Sequence, residues 1–199
     1  MRRLLIGCFN KSVILTYIGV GCIVIGTFGI LKDNWKLGMI CMLISGVCDM
    51  FDGTVARKCK RTELEKEFGV QLDSLADVVC FGYYPILVFI SYCGLNAISL
   101  LISIMYLVSG INRLCWFNVS KEKGIFRGIP ITSSVLGITT VYVISLITGR
   151  EFGIKLMYIA IGLMGVLFSV NIKIPKPSKR GYIILTSLAI IYSGVILIR

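Results

Sequence analysis

Seven runs of roughly 20 mostly apolar residues, parted by short polar turns, constrain this chain more than any other feature. They fall near residues 12–31, 37–57, 68–90, 96–117, 129–148, 153–170 and 182–198. Runs of this length cross a bilayer as helices, because a helix satisfies its own backbone N–H and C=O groups where water is absent. The chain has 199 residues, 56% of them apolar, and a mean hydropathy of +0.88, more apolar than a soluble domain of this length. The expectation is an all-α integral membrane protein, a six-span helix bundle plus one extra C-terminal span. Residues 1–199 read as a single transmembrane domain, with a core at about 10–170 and the extra span at about 181–198. Pro85 is expected to kink the third span.

The basic residues orient the bundle. Sixteen of the 21 Lys and Arg fall on one side of the spans, among them Arg2, Arg3, Arg57, Lys58, Arg113 and Arg127. The other five are Lys32, Lys36, Arg150, Lys155 and Arg199. This asymmetry puts the amino terminus in the cytoplasm and predicts a multi-pass protein of the cell (inner) membrane. The basic start lacks a convincing cleavage site and reads as a cytoplasmic anchor. The net charge of +11 is then topology and attraction to membrane lipids, and nucleic acid is not expected as a partner.

Histidine is absent, which excludes His-based triads, His-ligated zinc or haem, and phosphohistidine chemistry. The eight cysteines form no C-x-x-C pair and read as reduced packing residues.

Against this background four acids stand out, in Asp49-Met-Phe-Asp52-Gly53-Thr-Val-Ala56-Arg57 and Gly69-Val-Gln-Leu-Asp73-Ser-Leu-Ala-Asp77. Asp49 and Asp52 are three apart and Asp73 and Asp77 four apart, so each pair shares one helix face. A lone acid of this kind can be a helix cap, but four in a membrane protein are a functional signal. They cannot neutralise one another, and Arg57 alone is too little. A divalent cation is the natural counter-charge, with Mg2+ or Mn2+ favoured by an all-oxygen ligand set. Gly53 and Ala56 remove bulk where a ligand could lie, although Gly53 could also serve helix packing. Arg57 offers a planar fork suited to phosphate. Together these residues suggest a phosphorylated ligand held at headgroup depth.

The pattern Asp49-x-x-Asp52-Gly53-x-x-Ala56-Arg57 followed by Gly69-x-x-x-Asp73-x-x-x-Asp77 resembles the signature of the CDP-alcohol phosphotransferases. Eleven residues separate Arg57 from Gly69, longer than usual in that family and similar to its phosphatidylserine synthase branch. Asp77-Val-Val-Cys-Phe81-Gly82, Arg113-Leu-Cys-Trp-Phe117-Asn118 and Phe126-Arg127-Gly128-Ile-Pro130 resemble elements of the same branch. The amino-terminal Asn10 and Thr16 are spaced more widely than the family's Asn-x-x-Thr.

The resemblance implies transfer of the phosphatidyl group of CDP-diacylglycerol to the hydroxyl of L-serine, with release of CMP. It implies Asp49, Asp52, Asp73 and Asp77 as ligands of two Mg2+ or Mn2+ ions, and Asp77 also as general base. Asp49, Gly53, Ala56 and Arg57 would bind CDP-diacylglycerol. A serine carboxylate needs a cation, and Arg113, with Asn118 nearby in sequence, is the first candidate, followed by basic residues of the next loop such as Arg127. The resemblance also implies a homodimer, while the asymmetry of the basic residues is what predicts an active site facing the cytoplasm. A different acceptor, such as glycerol phosphate or inositol phosphate, is the nearest alternative. A divalent-cation transporter is a distant one, disfavoured because the acids cluster at one edge and not through the depth of several spans.

Overall fold

The computed structural model describes residues 7–8, 10–120, 125–175 and 179–199, with the backbone alone for 125–127, 173–175, 179–180 and 182. Its elements in chain order are α1 (Ile14–Leu31), α2 (Trp35–Lys58), α3 (Glu63–Asp77), a π-helical segment (Val78–Tyr83), α4 (Tyr84–Cys93), α5 (Ala97–Val119), β1 (Ile125–Arg127), α6 (Ser133–Thr148), α7 (Arg150–Ser169), β2 (Lys173–Pro175) and α8 (Lys179–Ile198). Among the described residues, five helices are long and apolar enough to cross a membrane: α1, α2, the continuous Glu63–Cys93 unit, α5 and α7. Two shorter apolar helices accompany them, Ser133–Thr148 and Ile183–Ile198. This is the helical architecture of a multi-pass membrane protein.

Local chemistry sets the helix starts. Asn34 accepts the Leu37 N–H at 3.1 Å to open α2. Thr62 and Glu65 form a reciprocal capping box, with Thr62 N–H to Glu65 Oε2 at 2.9 Å and Glu65 N–H to Thr62 Oγ1 at 3.3 Å. The third helix therefore starts at Glu63, ahead of the apolar run that begins near residue 68, and most of the charged insert is helical. Lys66 and Glu63 pair at 2.6 Å on its exposed face. Asn96 and Ser99 form a second capping box at the start of α5.

Helix α1 packs on α2, α5 and α6 both pack on α7, and α8 lies against α2 and α6. Helices α1, α2 and α4 approach closely at Gly26, where a Cβ would lie 2.6 Å from Tyr84 Oη and 2.9 Å from Cys41 Cβ. Tyr84 itself is buried and donates to the Gly38 carbonyl at 2.8 Å, so it belongs to the core and not to the membrane interface. Trp35 likewise packs inward, edge-on to Tyr92 at 5.3 Å. Large apolar side chains such as Ile25, Phe28 and Leu101 point outward, as lipid-facing residues should. All eight cysteines are free.

One departure from an all-helical chain is a small antiparallel ribbon, β1 with β2, pairing Phe126 with Ile174. It lies between helix ends, where strand pairing satisfies backbone groups that no helix covers. Gly128 follows β1 with φ of +71°, and its N–H reaches the Ile172 carbonyl at 2.9 Å. A Cβ there would sit 2.7 Å from the Phe168 carbonyl oxygen, so both backbone angle and space demand glycine.

Candidate active site

The acidic residues come from two helices that the charged insert joins. Asp49 and Asp52 lie one turn apart on α2, and Asp73 and Asp77 one turn apart on α3. Asp49, Asp52 and Asp73 each present a carboxylate oxygen within 4.8 Å of the others. The acids meet across the helices, Asp49 with Asp77 and Asp52 with Asp73. Thr16, from α1, donates its hydroxyl to Asp52 Oδ2 at 3.1 Å, and Asp52 is buried. A space of about 10 Å³, enough for one water-sized sphere, is lined by Thr16, Asp49, Asp52, Asp73 and Asp77. Hard oxygen donors around so small a space fit Mg2+ or Mn2+.

Beside this space opens a cavity of about 520 Å³. All four aspartates line it, together with Gly53 and Arg57 on α2 and Arg113 and Asn118 on α5. Gly53 is exposed, and a Cβ on it would meet nothing nearer than Arg57 Nη1 at 3.6 Å. It is thus not a helix-packing glycine, and it leaves open space beside the acids. Arg57 is exposed and its Nη2 donates to Thr54 Oγ1 at 3.0 Å. Ala56 is not among the lining residues. Arg113 is buried on α5, and Asn118 Nδ2 donates to Ser74 Oγ at 2.8 Å, tying α5 to α3 beside Asp73. Arg127 belongs to β1, and its side chain lies outside the described residues.

The cation-sized acidic nest opening on a polar cavity has a counterpart among known proteins: residues 9–190 match the CDP-alcohol phosphatidyltransferase family. The chain belongs to this family. It is a phosphotransferase family, and the chain is an enzyme of it. A CDP-diacylglycerol--serine O-phosphatidyltransferase of Helicobacter pylori is 32% identical over 177 residues, 84% of this chain and 73% of that protein. One of the same name from Methanocaldococcus jannaschii is 32% identical over 181 residues, 90% of this chain and 83% of that protein. An archaetidylserine synthase of Methanothermobacter thermautotrophicus is 33% identical over 144 residues, 71% of this chain and 59% of that protein.

Several cavity residues of this CDP-alcohol phosphatidyltransferase carry no mark in the sequence. Ser74 sits between two signature aspartates, and its link to Asn118 exists only because the fold brings the end of α5 within hydrogen-bond reach of α3. Thr132 and Ser133 line the cavity from the start of α6, and Leu185 and Ala189 line it from α8. The last helix therefore helps to wall the cavity and is not merely appended to a core. No periodicity distinguishes its cavity-facing residues from its lipid-facing ones, since both are apolar.

Proposed function

We propose that this chain is a phosphatidylserine synthase, transferring the phosphatidyl group of CDP-diacylglycerol to the hydroxyl of L-serine and releasing CMP. The single observation that carries the proposal is the convergence of Asp49, Asp52 and Asp73 within 4.8 Å on a cavity that also receives Arg57, Arg113 and Asn118. The names of the relatives support serine as the acceptor.

Asp49, Asp52, Asp73 and Asp77 would hold two ions, Mg2+ or Mn2+. Bound there, the ions would neutralise the diphosphate and stabilise negative charge on the phosphoryl and leaving oxygens. Thr16 keeps Asp52 oriented by its hydrogen bond. Arg57 and the open space at Gly53 receive the cytidine diphosphate, with Ala56 on the same helix. The Arg113 guanidinium pairs with the serine carboxylate, with Asn118, and Arg127 from β1, as further polar contacts. The serine hydroxyl oxygen then bonds to the phosphorus that bears the glycerol. The bond from that phosphorus to the bridging oxygen breaks, and the electron pair leaves with CMP. Asp77 accepts the hydroxyl proton as the new bond forms.

The same proposal takes the chain as one catalytic domain, 1–199. A six-span core is joined by α8, with its amino terminus and acidic pocket facing the cytoplasm of the cell membrane, and the protein works as a homodimer. The test is an assay of purified protein with CDP-diacylglycerol and either serine, glycerol phosphate or inositol phosphate, before and after chelation by EDTA. Phosphatidylserine should form only with serine and only with Mg2+ or Mn2+ restored. Product from glycerol phosphate but not from serine would refute the acceptor.

A further inference from the structure

The unit Glu63–Cys93 changes its winding immediately after Asp77. Val78–Tyr83 is π-helical, with the Tyr84 N–H bonded to the Val79 carbonyl five residues back. Pro85 follows at the start of α4, and it has no N–H to give the Phe81 carbonyl, the acceptor that an α-helix would assign it. That carbonyl is served from outside its own helix. Tyr106 Oη on α5 donates to it at 2.6 Å, and Ser134 Oγ on α6 at 3.4 Å. Phe81, Tyr106 and Ser134 are all buried, so the two hydroxyls satisfy a carbonyl that water does not reach.

The winding matters for the acids. Each residue advances an α-helix by about 100°, and a wider π turn takes up about one residue more. If Val78–Tyr83 relaxed to α-helix, Asp77 and Asp73 would turn by about that angle relative to α4. They would then no longer face Asp49 and Asp52. Tyr106 lies seven residues before Arg113, two turns along one face of α5, so the helix that supports the Phe81 carbonyl also carries the cavity arginine.

We propose that Tyr106, assisted by Ser134, is a positioning residue for the acidic site: its hydroxyl holds the π-helical segment and thereby aims Asp73 and Asp77 at Asp49 and Asp52. This rests on the metal-binding reading proposed above. The test measures Mn2+ binding to purified protein by electron paramagnetic resonance, alongside the melting temperature. Wild type should bind Mn2+, and Asp73→Asn should not. Tyr106→Phe and Ser134→Ala should each weaken binding, and the double variant should weaken it about tenfold or more.

Adding Pro85→Ala to the double variant returns an N–H to the Phe81 carbonyl. It should restore the melting temperature but not the Mn2+ affinity, because the α-helical winding turns Asp77 away. Affinity within about twofold of wild type in the double variant would overturn the proposal. So would Pro85→Ala restoring affinity and melting temperature together. Failure of the wild type itself to bind Mn2+ would sink the metal reading, and this inference with it.

Discussion

Thr16 Oγ1 donates to Asp52 Oδ2 at 3.1 Å, joining α1 to the acidic face of α2 across 36 residues of sequence. The bond fixes a carboxylate oxygen of a buried acid that also meets Asp73 across the helices. Thr16→Val keeps the shape and removes the donor. The metal concentration giving half-maximal activity should rise about 10- to 100-fold, while Thr16→Ser stays near wild type. A metal titration of the two variants decides it.

Asp77→Asn should lower turnover by about 10²- to 10⁴-fold, the range expected for loss of a general base. Binding of CDP-diacylglycerol, measured calorimetrically in nanodiscs, should survive. Turnover near the wild-type rate would remove Asp77 from the proton-accepting role.

At Gly53 the structure separates ligand from fold. A Cβ would contact only Arg57 Nη1, at 3.6 Å, so Gly53→Ala clashes with nothing in the protein. In a helix interior alanine is favoured over glycine by about 0.5–1 kcal/mol, so the melting temperature should hold or rise. The KM for CDP-diacylglycerol should nevertheless rise, because the methyl group occupies space meant for substrate. An unchanged KM would show that the nucleotide does not lie against this turn.

Arg113 is buried at the cavity wall, and Arg113→Lys keeps its charge but loses the planar fork. The KM for serine should rise about tenfold, equivalent to about 1.4 kcal/mol, with that for CDP-diacylglycerol unaffected. Steady-state kinetics with each substrate varied in turn provides the check.

Gly128→Ala tests the ribbon. Left-handed backbone at φ +71° and a Cβ only 2.7 Å from the Phe168 carbonyl combine strain with a clash. Destabilisation of about 1–3 kcal/mol is expected, visible as a lower melting temperature in detergent.

Much of the architecture is legible in local patterns. Lipid demands long apolar runs, and the runs near 12–31, 37–57 and 96–117 become α1, α2 and α5 with only small shifts at their ends. The spacings of Asp49 to Asp52 and Asp73 to Asp77 place each pair on one face, since helical periodicity is a property of the segment alone. The start of α3 was also present in the sequence, as Thr62-x-x-Glu65, but the dense charge around it resembles a loop. The kink expected at Pro85 takes the form of a π-helical segment upstream of it, because the freed Phe81 carbonyl found donors on α5 and α6.

Hydrophobicity and spacing alone determined that this chain crosses a membrane as helices and carries two pairs of acids, each pair on one helix face. Tertiary packing alone decided that those pairs meet, that Thr16 reaches Asp52 and Asn118 reaches Ser74 beside Asp73, and that Leu185 and Ala189 of α8 wall the cavity. The reason is physical. A helix face follows from neighbours three and four residues away, whereas its partner depends on which faces pack, and apolar side chains toward lipid and toward cavity read alike.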